Sequence, residues 1–384
     1  MRVCIVYDCL FPWTVGGAER WYRSLAERLA ADGHEVTYLT RLQWDDDDPP
    51  DLPGVRVVAV SPREPLYGPD GNRRISQALR FGRGVLGHLV RHGRRYDVVH
   101  SASFPYFSLL AAAAARPLGR YDLVVDWFEV WSREYWRSYL GATGGPIGYL
   151  VQRACVLVPQ RAYCFSRLHG ERLAAEGLRS PATLLQGAYV GDLTPPEPNF
   201  ADPLVVFAGR HIREKRAPAV VAAVARARER IAGLHGLVFC DGPERARVID
   251  AIARDGLEGV VEAPCFADSA EIEAALRRAL CLLLPSEREG YGMVVVEAAS
   301  RGTPSVVVRA PDNAAIELVE DGVNGFVVGS AEPDELADAI VRVDAAGEAL
   351  RASTCAWFAR NARRLSLASS LEKVAASYAD NARS

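Results

Sequence analysis

The sequence predicts an α/β chain folded as two doubly wound parallel sheets joined by a proline-rich linker. Three observations carry this. Short apolar runs alternate with longer helix-period segments along most of the chain, the pattern of strands buried on both faces and covered by helices. The alternation occurs twice, once before residue 190 and once after residue 203. Between the two arrays, over 192–203, four of twelve residues are proline, which lacks an amide donor and interrupts helix and ladder alike. A length of 384 residues suits two domains, and 49% hydrophobic with 24% charged residues excludes a disordered or disulfide-stapled chain.

In the first array the apolar run 3–7 reads as a strand feeding a helix over 18–32. Strands follow at 36–40 and 55–60, then a helical pattern over 73–93 and a strand at 97–100. In the second array strands fall at 204–208, 236–240, 260–263, 281–284 and 305–308. They are separated by helical patterns at 216–231, 244–255, 269–279 and 293–301. The domains are therefore 1–190 and 203–356, both Rossmann-like. Two such halves facing each other leave a central cleft along the carboxyl ends of their strands, where ligands of open α/β sheets bind.

Composition narrows the partners. A formal net charge of −3 gives no reason to expect nucleic acid. Eight scattered cysteines form no Cys-x-x-Cys pair and read as reduced core thiols. No apolar stretch approaches the roughly 20 residues of a membrane helix, and no leader pattern precedes the first strand, so a cytoplasmic protein is expected. The acidic run 45–48 lies in a proline-flanked loop and reads as solvated, and no metal site is expected. Residues 71–95 hold seven arginines and no acid, with apolar residues at helical spacing. A solvated face is the simpler reading there, and peripheral contact with an anionic membrane is the alternative.

Three motifs carry chemistry. After the strand at 281–284, Glu289 precedes Gly290-Tyr291-Gly292 and a helix starting near Met293. Glycines permit a tight turn and close approach of amides, while the helix start offers unpaired N–H groups to an anion. Glu297, on the second turn of that helix, can reach back to a vicinal diol such as a ribose. After the strand at 204–208, Arg210 and Lys215 stand at a strand end and a helix start, placed to neutralise a diphosphate. Only Lys215 and Lys373 are lysines against 43 arginines, so a lysine here points to a compact ammonium that a guanidinium fork does not replace. Third, Gly16-Gly17 separates the first strand from the first helix. It fits neither a dinucleotide fingerprint nor a P-loop.

Together these stretches resemble the retaining, nucleotide-sugar-dependent glycosyltransferases of family 4, which have the GT-B fold. The resemblance implies that 1–190 takes the acceptor, that 203–356 binds the donor, and that a tail over 357–384 crosses back onto the N-terminal domain. It assigns Glu289 to the donor sugar, Glu297 to the ribose, Arg210 and Lys215 to the leaving diphosphate, and Gly16, Gly17, Gly290, Tyr291, Gly292 and Met293 to donor binding. It implies no cofactor beyond the nucleotide sugar as co-substrate. Many relatives carry a His-Asp pair where this chain has Phe128 and Glu129, which leaves His100 as the cleft histidine candidate for catalysis. Trp127, Phe128, Glu129 and Trp131, in a stretch dense in aromatics, are expected at the acceptor, and aromatic surface favours a small molecule. Base choice is expected in the turns near 265–268. Epimerisation, phosphorolysis and non-catalytic nucleotide-sugar binding remain open as alternatives.

Overall fold

A computed structural model describes residues 1–384 except 46, 67, 69–72, 266, 267 and 382–384, and for 379–381 the backbone alone. The chain forms two compact units. The first is Met1–Ala188 with the stretch from Leu367 onward, and the second is Tyr189–Ser366.

In the first unit the elements run β1 (Arg2–Val6), α1 (Gly17–Ala31), β2 (Glu35–Arg41), β3 (Val55–Ser61), α2 (Ile75–His92), β4 (Val98–Ala102), α3 (Tyr106–Gly119), β5 (Asp122–Trp127), α4 (Arg133–Val156), β6 (Arg161–Cys164), α5 (Arg167–Glu176) and β7 (Thr183–Leu184). All seven strands are parallel, in the order β3-β2-β1-β4-β5-β6-β7. Val3 pairs with Val36 on one side and Val98 on the other. Alternation along β4 and β5 sorts the side chains. Val99, Val125 and Trp127 join the core under α2, α3 and α4, while His100 and Asp126 point to the opposite face.

Glycines in α2 weaken a helix by propensity, yet α2 needs two of them. A Cβ on Gly84 would stand 2.0 Å from the Val60 carbonyl oxygen, and one on Gly82 would stand 2.8 Å from Phe107 Cβ. The helix lies too close to β3 and α3 for any side chain at those positions.

The second unit runs β8 (Leu204–Ala208), α6 (Ala217–Ala227), β9 (His235–Phe239), α7 (Arg245–Arg254), β10 (Val261–Glu262), α8 (Ser269–Arg278), β11 (Cys281–Leu284), β12 (Arg288–Glu289), α9 (Met293–Ala299), β13 (Ser305–Val308), β14 (Asp312–Asn313), β15 (Gly325–Val328) and α10 (Pro333–Leu365). Six parallel strands lie in the order β10-β9-β8-β11-β13-β15, and β12 pairs separately with β14. Residues 192–203 form no helix or strand. The tail expected over 357–384 divides at Ser366. Residues up to Leu365 finish α10, which breaks at Gly347 (φ 50°), and only α11 (Leu367–Asn381) belongs to the first unit.

Candidate functional site

In the second unit strand order reverses between β8 and β11, since β8, β9 and β10 step one way and β11, β13 and β15 the other. That switch point is where open sheets leave a crevice at their carboxyl ends. Beyond β8 the chain turns through a short 3-10 segment, Arg213–Lys215, with Arg216 at positive φ before α6 begins. Beyond β11 it runs through Ser286 to β12. The Lys215 ammonium is hydrogen-bonded to Glu289 Oε1 as an ion pair. Ser286 Oγ–H donates to the same oxygen at 2.9 Å. The Lys215 side chain is 20% exposed and that of Glu289 9%, so the pair is shielded but reachable.

The two loops are tied to one another. Glu287 N–H donates to the Glu214 carbonyl at 2.8 Å, and Arg216 reaches Glu287 at 3.0 Å. Asn313 Nδ2 donates to the carbonyls of Ser286 (3.0 Å) and Val308 (2.8 Å), which holds the Ser286 turn against the end of β13. Gly292 caps α9 at φ 93°, and a Cβ there would stand 2.5 Å from Ala315 Cβ, so the turn requires glycine both sterically and conformationally. Glu297 is half-buried on α9, which ends at Ala299, two residues before the expected end, and Arg210 is exposed past the end of β8. A cavity of about 690 Å³ opens on neighbouring loops, lined by Arg213, Arg216, Glu244, Arg247, Glu287 and Arg309. It includes neither Lys215 nor Glu289 and flanks the pair rather than containing it. Of the turn expected to choose the base, residues 266 and 267 lie outside the described residues.

The first unit has its own switch point, between β1 and β4. Asp8, just past β1, is fully buried. Its Oδ2 accepts from Arg73 at 2.5 Å and from Gln77 at 3.3 Å, while Oδ1 has no hydrogen-bond partner among the described residues. The Arg73 guanidinium lies 4.9 Å from the Phe104 ring centroid. Gly16 precedes α1 in extended backbone and Gly17 is its first residue. Over Gly16 folds the carboxylate of Glu19, which accepts from Tyr7 OH at 3.1 Å. Burial raises the Glu19 carboxyl above its ordinary value.

Two expected site residues are core instead. His100 is fully buried: its Nδ1 pairs with the Tyr378 hydroxyl, and Nε2 lies 2.9 Å from Asp126 Oδ1 at ion-pair distance without hydrogen-bond alignment. Trp21 Nε1–H donates to the other Asp126 oxygen at 2.7 Å. His100 thus fastens α11 and α1 to the sheet, and its ring nitrogens meet protein groups rather than an open site. Trp127 is also fully buried, donating to Gln160 at 2.9 Å, because alternation along β5 points it into the core. Phe128 stacks on Phe165 with centroids 4.7 Å apart, half-buried. Glu129 accepts from Trp131 Nε1–H at 2.6 Å. Trp131 is itself half-buried against Trp136 and Tyr135, its centroid 4.7 Å and 4.8 Å from theirs. Asp8, Glu19, Arg73, Ser286 and Asn313 were not singled out by sequence, since an isolated Ser, Asn or Asp at a strand end is an ordinary turn signal.

Among the described residues no three His, Cys, Asp or Glu side chains gather as a metal site. Two doubly wound parallel units, with charged side chains at their switch points, give this chain the GT-B architecture. Sucrose-phosphate synthase from Thermosynechococcus elongatus is similar at a TM-score of 0.81, with 19% identity over 100% of both chains. HepE from Anabaena, in complex with UDP and glucose, is similar at 0.72, with 18% identity over 99% of this chain and 100% of that one. Residues 15–179 match the model for Glycosyltransferase Family 4 and residues 202–344 that for Glycosyl transferases group 1. The chain belongs to this glycosyltransferase family. Glycogen synthase of Mycobacterium tuberculosis is 26% identical over 363 residues, spanning 88% of this chain and 84% of that protein.

Proposed function

We propose that the chain is a retaining glycosyltransferase that moves a sugar from a nucleotide-diphosphate sugar to a small acceptor without a metal ion. The observation that carries this reading is the shielded Lys215–Glu289 pair at the β8/β11 switch point. Transfer breaks the bond between the anomeric carbon and the diphosphate oxygen, so negative charge grows on the diphosphate while the carbon becomes cationic. A pair of opposite charges held side by side answers both demands. Lys215, with Arg210, faces the diphosphate, and Glu289 positions the sugar hydroxyls and steadies the cationic carbon. Preorganised groups of this kind are typically worth about 3–4 kcal/mol each.

Ser286 and Asn313 act as positioning residues for Glu289. Glu297 accepts from the ribose diol, and the turn Gly290-Tyr291-Gly292-Met293 supplies close-approaching backbone. In the first unit Phe128, Glu129 and Trp131 offer ring surface and a carboxylate to the acceptor, and Gly16-Gly17 offers amides at its switch point. The acceptor hydroxyl replaces the diphosphate on the same face of the sugar, and its proton passes to the departing phosphate oxygen. The HepE structure holds UDP and glucose, which makes UDP the first nucleotide to test.

A thermal-shift series with UDP, GDP, ADP and dTDP, without metal and with chelator, tests the donor half. One nucleotide should raise the melting temperature in a dose-dependent way, and Lys215→Ala should abolish the shift. Anomeric proton couplings of the product then read retention. Failure of all four nucleotides to bind, or a product of inverted configuration, overturns the reading.

A further inference from the structure

Helix α2 presents two faces. Phe81, Val85 and Leu89 are buried under it, as the hydrophobic pattern requires. Its exposed side, however, is only partly polar, because beside Ser76, Arg80, Arg83 and Arg91 it shows apolar residues. Ile75, Leu79, Leu86 and Val90 are 55%, 48%, 37% and 50% exposed, and their spacing sets them in one stripe along the helix. The layer continues this pattern. α3 packs against both α2 and α4, and Leu118, Ile147, Leu150 and Leu157 are 53%, 64%, 61% and 46% exposed on or beside those two helices. Of the thirteen exposed large apolar side chains among the described residues, these eight fall on one helical layer of the first unit. Apolar exposure gathered in this way marks an interaction site rather than scatter.

The charges beside it are mostly positive. α2 and α3 contain no acid, and α4 contains only Glu134, while the three helices carry seven arginines. Arg83 stands within the stripe between Leu79 and Leu86, and neither it nor Arg91 forms an ion pair with a described acid. Nearby acids are few and peripheral: Glu64 pairs with Arg80, and Asp122 lies 3.9 Å from Arg116. Burial, then His92, Arg56, Arg91 and Arg95, push the His88 imidazole down to about 4, in keeping with a positive field over this end of the helix.

We propose that the outer face of α2, extended by α3 and α4, docks on an anionic phospholipid bilayer. Apolar side chains enter the headgroup boundary while flanking guanidiniums reach phosphates, a division that long arginine stems allow. A second copy of the chain fits less well, because a two-fold contact sets identical patches face to face and here brings cation against cation. No helix among the described residues is long and apolar enough to cross a membrane, so contact is through the surface of the folded unit.

The full chain is sedimented with vesicles of phosphatidylcholine alone and of phosphatidylcholine mixed with phosphatidylglycerol. Binding to the anionic vesicles only, weakened by salt, is expected. Arg83→Glu changes the surface charge by two units and should weaken partitioning roughly 30-fold. The double variant Leu79→Ser/Leu86→Ser should lose binding while its far-UV circular dichroism melt stays that of the parent. Absence of binding to both vesicles, or binding unchanged in both variants, overturns the proposal. So does a lipid-free dimer in sedimentation equilibrium that the double variant dissociates, which assigns the face to a second copy.

Discussion

Replacing Lys215 by methionine keeps the stem of the side chain and removes only the charge. In the parent, Glu289 is 9% exposed and receives Lys215 and Ser286 on one oxygen. Without the ammonium, a mostly buried carboxylate keeps a hydroxyl donor alone. Breaking a fully buried pair costs about 3–5 kcal/mol, and the 20% exposure of Lys215 lets water recover part of that, so about 1–3 kcal/mol of stability should go. Turnover should fall further, by about 10²–10³ in kcat, because under the proposed function the missing charge acts on the departing diphosphate. Lys215→Met/Glu289→Gln separates the two effects. It removes the orphaned carboxylate, so melting temperature returns toward the parent while turnover stays low. Nucleotide release measured beside thermal melting reads both quantities. If Lys215→Met melts earlier yet turns over at the parent rate per folded molecule, the pair is structural and the donor assignment falls.

Three further outcomes are expected. His100→Ala should lose roughly 2–4 kcal/mol in denaturant unfolding, the range for breaking a buried hydrogen-bonded network, while the folded fraction keeps its turnover; a parent-like melt with lost turnover would return His100 to the active site. Gly84→Ala should cost about 1–3 kcal/mol through overpacking against β3, and a neutral result would deny the close approach of α2. Burial raises the Glu176 carboxyl from 4.5 to about 7, and Gln152 donates to it at 2.9 Å. The folded state therefore holds a proton that the unfolded state has released, so this group's stabilising contribution declines as pH rises from 4.5 to about 7. Glu176→Gln should flatten that slope in pH-dependent melting, and an unchanged slope would refute the assignment.

Strands β1, β8 and β11 were legible because parallel strands buried on both faces are nearly continuous apolar runs. The central part of the first unit was not. α4 contains Gly141, Gly144, Gly145 and Pro146, and its backbone leaves helical geometry at Gly141; such a string reads as loop until Trp136 and Tyr135 pack beneath it. Pairings as short as β12 with β14 have no period to detect. Asn313 holds that pairing in place, its amide bridging the Ser286 carbonyl and the Val308 carbonyl at the end of β13. A sequence displays that asparagine only as a turn residue.

The same limit bears on Lys215 and His100, which the structure places in different surroundings. Both stand near the carboxyl end of a central strand, and both carry chemistry suited to catalysis. Lys215 was conspicuous because arginine fills nearly every other cationic position in the chain, so its residue type itself carried information about the charge required. Nothing of the kind distinguishes His100, whose neighbours in sequence are ordinary strand residues. Its meaning comes from Asp126 on the adjacent strand and from Tyr378 at the far end of the chain, contacts that exist only after folding. The His100 imidazole is fully buried, with Nδ1 on the Tyr378 hydroxyl and Nε2 facing Asp126, so neither nitrogen is presented to solvent. An ammonium paired with a single carboxylate at an accessible turn can exchange that partner for a diphosphate. Accessible pairing, more than residue type, therefore separates the group proposed to act from the buried one at these two positions.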